Sequence, residues 1–342
     1  MSTNKILSVN NLSTQFVLPD GTLKAVDGVS FDVHQGQTVG IIGESGCGKS
    51  VTAQSIMRIV PKPGHISAGS IEFTKSDRHT TDLVGLEKDS KTIRSIRGGE
   101  ISMIFQEPLT SLSPVHTVGD QIMEMILLHS TTDQHEAKDI AIDMLDRVGM
   151  SNPQLRFDEL PHQLSGGMRQ RAMIAMALSC KPSMLIADEP TTALDVTVQA
   201  QIIELLQDLQ EQLGMAIMYI THDLGVICEI ADVVHVMYLG KIVESASTKE
   251  LFHNPLHPYT QRLLASIPKL GASGKGTKLD AIRGNVPVPL NLPPQCGFQS
   301  RCNEIIENVC DLKVPGLVDM GNEHYVRCFL HSEEEEKTYA SK

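Results

Sequence analysis

The chain has no tryptophan, and aromatic residues make up only 4% of its 342 positions. Its core must therefore rest on aliphatic side chains, and a hydrophobic content of 41% is ordinary for a soluble α/β protein. A basic excess is missing as well. The formal net charge of −12 argues against a general nucleic-acid binder, which would normally carry clustered Lys and Arg. No apolar run approaches the roughly 18 residues of a membrane span. Met1-Ser2-Thr3-Asn4-Lys5 opens no signal peptide. The expectation is a cytosolic chain whose membrane attachment, if any, comes through a partner. Seven cysteines in a reducing compartment point to thiols or metal ligands rather than disulfides, and four of the seven fall in the last fifty residues. The length allows about two domains.

What is present is organised around Gly43-Glu44-Ser45-Gly46-Cys47-Gly48-Lys49-Ser50, which fits the phosphate-cradling pattern G-x-x-x-x-G-K-[ST]. Thr38-Val39-Gly40-Ile41-Ile42 leads in as a buried strand, and Val51 to Met57 leads out as a helix. Glycines let the backbone fold so that successive N–H groups face phosphate oxygens, and the helix N-terminus adds unpaired N–H groups. Lys49 would reach the β- and γ-phosphates and the Ser50 hydroxyl would ligate Mg²⁺. An eight-residue match alone could still be an ordinary turn. The Cys47 side chain reads as a Ser-like filler, with the corollary that thiol alkylation blocks ATP binding and ATP protects.

The N-terminal stretch alternates like β-structure through Ile6–Val9, Ser13–Val17 and Ala25–Val33, with a turn at Pro19-Asp20-Gly21. Phe16 reads equally as a core aromatic or as a stacking surface for adenine. Gly69–Phe73 is β-like, a polar stretch runs to Gly99, and the strand Ile101–Phe105 ends on Gln106. From about Val118 to Ser179 the apolar spacing is helical. Leu164-Ser165-Gly166-Gly167-Met168-Arg169-Gln170-Arg171 opens a helix running to Cys180, with Ser165 as N-cap. Ser183–Ala187 is a buried parallel strand ending in Asp188-Glu189, at the edge where open α/β sheets bind ligands. There Asp188 can hold Mg²⁺ through water and Glu189 can polarise an attacking water. Thr197 to Leu213 is an amphipathic helix, and Met215–Ile220 is a strand leading to His222 at the same sheet edge.

Beyond a linker at Gly271–Gly276, Cys296, Cys302, Cys310 and Cys328 are spaced C-x₅-C-x₇-C-x₁₇-C. Three readings compete: unrelated thiols, a Cys₄ zinc site, and a [4Fe–4S] cluster. Zinc sites usually bring paired C-x₂₋₄-C knuckles, and none is present.

With these residues in place the chain resembles the nucleotide-binding subunit of an ABC transporter, and more narrowly the D-type ATPase of the oligopeptide/dipeptide importer family. Gly43 to Ser50 resembles the Walker A loop, continued by Val51. Gln106 matches the Q-loop, Leu164 to Met168 the signature, Met184 to Asp188 Walker B, Glu189 the catalytic glutamate, Ala193-Leu194-Asp195 the D-loop and His222 the switch histidine. Phe16 falls where the family places its adenine-stacking aromatic. Met168 in place of the usual glutamine, and His257-Pro258-Tyr259-Thr260, resemble the D-type branch.

The resemblance implies a P-loop NTPase core of the ABC type with an antiparallel β subdomain, an α-helical subdomain at about 107–180 and a small Cys-rich extension. Domains follow as 1–265 for the nucleotide-binding domain, 266–331 for the extension and 332–342 for a disordered acidic tail. It also implies Mg²⁺ held by Ser50, Gln106 and Asp188, and catalysis by Glu189, His222 and Gln106. Two ATP molecules would be sandwiched head to tail against a homologous F-type ATPase subunit. The pair would drive two permease subunits at the cytoplasmic face of the inner membrane, with a solute-binding protein outside. Some relatives hold a [4Fe–4S] cluster on similar cysteines, so the cluster is favoured over Zn²⁺. The implied activity is ATP hydrolysis coupled to peptide uptake. Alternatives are the same machine importing an oligosaccharide, glutathione or a nickel complex, a soluble ABC ATPase, or an iron–sulfur redox sensor.

Overall fold

The structure, a computed structural model, describes residues 4–106, 111–192, 194–267, 282 and 284–332. The chain divides into two compact units. One comprises Met1–Ser8, Asp32–Thr38 and Ile71–Ile220, the other Val9–Phe31, Val39–Ser70 and Thr221–Lys342.

The first unit carries three parallel strands, Ile101–Ile104, Met184–Asp188 and Ala216–Thr221, in register Ile104↔Ala187↔Tyr219. Every residue in them is buried. That is why their sequences are unbroken apolar runs, because a parallel sheet is covered on both faces. In the chain between Ile101–Ile104 and Met184–Asp188 come the helices Val118–His129, Gln134–Arg147, Pro153–Phe157 and Gly166–Leu178. Three start on side-chain caps: Thr117, Asp133 and Ser165 each accept a backbone N–H of the first turn. The Phe157 ring occupies the space where a side chain on Gly119 would begin, 2.5 Å from an ideal Cβ, so only glycine lets these helices close up. The helix Lys91–Ile96 lies inside the polar stretch that gave no helical signal. Six residues are too few to show a 3.6-residue period, and the N-cap Ser90 is its one local mark.

In the second unit Thr38–Ile42 runs parallel to Val233–Tyr238, which pairs antiparallel with Lys241–Ser247. Tyr325–Val326 then adds to Lys241–Ser247 and Val318–Asp319 adds to Tyr325–Val326, so the segment after the cysteines is woven into this sheet. A fully buried carboxylate fixes that junction. Glu244 accepts hydrogen bonds from Leu256 N (2.6 Å), His257 N (3.0 Å) and His324 Nε2 (2.8 Å). Three donors satisfy a charge that would otherwise be costly to bury. The N-terminal strands Lys5–Leu18 and Gly21–His34 are each fourteen residues long, and Lys5–Leu18 lies between Gly21–His34 and Gly64–Thr74.

No described helix is long and apolar enough to cross a membrane. The expected linker at Gly271–Gly276, and all of the expected acidic tail but Ser332, lie outside the described residues.

Candidate functional site

The phosphate-loop pattern folds as a tight strand-to-helix turn in which Gly43, Gly46 and Gly48 all have positive φ (149°, 82° and 101°). Gly48 caps the Lys49–Ile56 helix in the left-handed region, and its carbonyl accepts the Thr52 hydroxyl at 3.0 Å. Lys49 is buried, and its ammonium donates to the carbonyls of Gly43 (2.8 Å) and Glu44 (3.1 Å), closing the loop on itself. Ser45 and Gly46 are exposed at the loop's crest, while Ser50 and Val51 are half-buried at the helix start. The Phe16 ring is half-buried and packs on Gly64.

Cys47 departs from one expectation. Its thiol is fully buried, and burial pushes its pKa up. A buried, protonated thiol is a poor nucleophile. Alkylation of the folded chain therefore does not start at Cys47, and the expected ATP-protected modification does not follow.

In the first unit the turn after Met184–Asp188 brings Glu189 together with Gln106. Asp188 is buried at the strand's end. Glu189 has φ 49°, a left-handed conformation that costs a non-glycine residue about 1–2 kcal/mol, and its N–H donates to Ile220 O at 2.8 Å. Its Oε2 accepts both the Gln106 side-chain amide and the Thr192 hydroxyl, each at 3.0 Å. Gln106 and Glu189, 83 residues apart, thus meet because Ile101–Ile104 and Met184–Asp188 are neighbouring parallel strands. His222 is exposed directly after Ala216–Thr221, and Asp223 caps the following helix.

The helix Gly166–Leu178 starts at an open end. Leu164 is buried, Ser165 accepts Met168 N at 3.3 Å, and an ideal Cβ on Gly166 would meet nothing within 4 Å. The Gln170 side chain donates to Pro190 O, tying this helix to the Glu189 turn. Asp195 caps Val196–Leu213 by accepting Val198 N at 3.0 Å. Ala193 lies outside the described residues.

The four C-terminal cysteines line one pocket together with His257, Phe298 and Ile306. Cys302 Sγ accepts Glu304 N and Cys310 Sγ accepts Ile306 N, both at 3.4 Å. Backbone N–H groups of Phe298 and Leu330 serve Cys296 and Cys328. Burial raises the Cys302 thiol, and pushes Cys296 up to about 11 and Cys328 to about 12. Yet among the described residues no three His, Cys, Asp or Glu side chains form a group that could hold a metal ion. The four thiols surround a shared space lined by apolar side chains.

Sequence reasoning missed the residues that brace the phosphate loop. Tyr259 Oη accepts Glu44 N at 2.9 Å. Arg301 makes a bidentate pair with the Glu44 carboxylate at 2.6 and 2.9 Å. Its burial beside Tyr238 and Phe298 closes an aromatic cluster in which Tyr238, Tyr259 and Phe298 centroids lie 4.7–5.3 Å apart. The H-P-Y-T run was a usable signal for Tyr259. For Arg301, 257 residues from Glu44, no sequence signal existed.

Comparison with known proteins agrees with this geometry. The family described as "ABC transporter" matches residues 26–192, and "Oligopeptide/dipeptide transporter, C-terminal region" matches residues 243–310. The chain is 50% identical over 330 residues to the oligopeptide transport ATP-binding protein AppD of Bacillus subtilis, covering 96% of this chain and 98% of that one. It is 47% identical over 339 residues to the dipeptide transport ATP-binding protein DppD of the same organism, covering 98% of each. A putative peptide import ATP-binding protein of Brucella melitensis is 49% identical over 338 residues, covering 97% of this chain and 99% of that one. Among solved structures, the dimeric bacterial ABC transporter cassette MJ0796 superposes with a TM-score of 0.62 at 24% identity, covering 71% of this chain and 99% of that one, a likeness of fold. The cbiO1 subunit of Clostridium perfringens gives 0.61 at 28% identity, over 73% and 92% of the two chains. Matches over nearly the full length, on top of a phosphate loop and a Gln106–Glu189 pair, place the chain in the ABC transporter ATP-binding family, in its oligopeptide/dipeptide branch.

Proposed function

We propose that this chain is the ATP-hydrolysing subunit of a peptide importer, with Gly43–Val51 binding the triphosphate and Glu189 activating the attacking water. The observation that carries the reading is the Gln106–Glu189 hydrogen bond at 3.0 Å, because it puts a carboxylate and an amide side by side at a sheet edge. His222 at the same strand edge is the third polar group, and Phe16 stacks the adenine. Mg²⁺ enters with the nucleotide. Ser50, Asp188 and Gln106 are the residues that would hold it alongside phosphates and water, as suits an ion that rarely uses an all-protein cage.

Leu164 to Met168 completes the site of a partner. The open helix start at Ser165-Gly166 supports this, since unpaired N–H groups and the positive dipole end suit a γ-phosphate. Asp195 takes the D-loop role in this reading. The partner is a homologous F-type ATPase subunit. ATP thus joins two protomers, and hydrolysis removes the charge their interface neutralises. Two permease subunits receive the closure, at the cytoplasmic face of the inner membrane. Peptide cargo rests on the names of relatives matched across almost the whole chain. The test is ATPase activity of the subunit assembled with its partner ATPase and permeases in lipid discs. Peptide-loaded binding protein should raise turnover about tenfold. Stimulation by DNA or ribosomes in its place would sink the importer reading.

Cys296, Cys302, Cys310 and Cys328 would hold a [4Fe–4S] cluster in this reading. The reading is supported by four thiols lining one space, with the Cys302 and Cys310 sulfurs each accepting a backbone N–H, the kind of outer contact that tunes such clusters. When bound, it would cross-link the segment; nothing nearby offers it a substrate. Anaerobically purified protein should be brown with iron and labile sulfide near four per chain. Colourless protein with one zinc would overturn the assignment.

A further inference from the structure

Glu44 sits second in the phosphate loop, where its carboxylate adds a negative charge beside the place the triphosphate must enter. Every polar group it owns is engaged. Its N–H donates to Tyr259 Oη (2.9 Å), its carbonyl accepts Lys49 Nζ (3.1 Å) and Cys47 N (3.3 Å), and its carboxylate takes both forks of Arg301. Arg301 is itself fixed. Its side chain is 4% exposed, one Nη also donates to Tyr238 Oη (3.3 Å) and the other to Gly284 O (3.2 Å). A buried guanidinium in a bidentate pair is geometrically specific, and lysine cannot reproduce it. Arg301 is also the residue just before Cys302, in the short helix Gln299–Arg301 between two of the four pocket-lining cysteines.

We infer that Arg301 is a positioning residue for ATP binding, and that through it the four-cysteine segment sets the affinity of the phosphate loop. The inference rests on Gly43–Ser50 being the nucleotide loop. Arg301 does two things at Glu44. It neutralises the carboxylate, which would otherwise repel an incoming phosphate. It also holds the first half of the loop from behind while Lys49 holds it from within. The loop's shape therefore depends on where the cysteine segment places Arg301. Any change that shifts Cys302, whether thiol oxidation or the loading and loss of a bound group, reaches the nucleotide without touching the catalytic carboxylate.

The experiment measures equilibrium binding of a fluorescent ATP analogue, together with ATPase KM and kcat, on the full chain in its assembled importer. Arg301→Gln should weaken binding about tenfold or more and raise KM alike, with kcat within about twofold. Arg301→Lys, which keeps the charge and loses the fork, should recover part of the loss. Glu44→Gln combined with Arg301→Gln should bind no worse than Arg301→Gln alone, because both changes remove one shared interaction. Cys302→Ser should weaken binding in the same direction and add little to Arg301→Gln. Unchanged affinity in Arg301→Gln, or a fall in kcat and melting temperature with affinity intact, would overturn the positioning role and leave a structural ion pair. Unchanged affinity in Cys302→Ser would overturn the dependence on the cysteine segment. Lys49→Ala separates the two readings: if that variant still binds the analogue, the loop itself is not the nucleotide site.

Discussion

Glu189→Gln is expected to slow ATP hydrolysis by about 10²–10⁴ while leaving ATP binding intact, the usual range for a lost general base. The geometry makes this substitution unusually clean. Two donors to the side chain, the Gln106 amide and the Thr192 hydroxyl, point at the same oxygen, Oε2. A glutamine carbonyl can accept both, so these two hydrogen bonds survive while the basicity is lost. The strained φ of 49° is set by the backbone N–H bond to Ile220 O and does not depend on the charge. Single-turnover phosphate release against ATP-analogue affinity is the measurement. A release rate within about threefold of wild type would remove Glu189 from the role of base.

Gly48→Ala is expected to lower ATP affinity by at least about 100-fold, or ~2.7 kcal/mol, and to destabilise the nucleotide-free chain as well. An ideal Cβ at Gly48 would lie 2.1 Å from Ala25 O, a backbone atom that cannot rotate aside, and φ is +101°. Overpacking of about 1–3 kcal/mol adds to left-handed strain of about 1–2 kcal/mol, and the loop relieves both only by moving off its hydrogen bonds to Lys49. Gly46→Ala supplies the comparison. Its φ is +82°, but nothing lies within 4 Å of its Cβ, so the nucleotide-free chain should lose only the strain. Melting curves of the two variants without nucleotide separate close packing from backbone conformation. Equal losses would mean that the contact with Ala25 O does not matter.

The two predictions differ in how far the sequence alone would have carried them. Glu189 is legible because an apolar strand ending in carboxylates is a local pattern, and so are the caps Ser165, Asp195 and Asp223, each bonding within its own first turn. That the carboxylate meets Gln106 depends on two strands being neighbours. Strand order is a property of the sheet, not of any window of residues. Gly48 was legible as a glycine of the loop, but the atom that forbids a side chain there, Ala25 O, is not. Cys47 shows the limit most plainly. The motif made it a Ser-like filler open to alkylation, and only the fold shows that its thiol is fully buried.

The sequence by itself determined the phosphate loop, the strand-end acids, the signature helix and the family, because each is written in residues that act within a turn or two of one another. Tertiary structure alone decided what stands behind the loop. Arg301 reaches Glu44 across 257 positions, Tyr259 reaches the same residue across 215, and Tyr325–Val326 joins the sheet beside Lys241–Ser247. The physical reason is that a buried charge takes its partner from whatever the packed core brings within about 3 Å, and chain separation leaves no periodic trace of that choice.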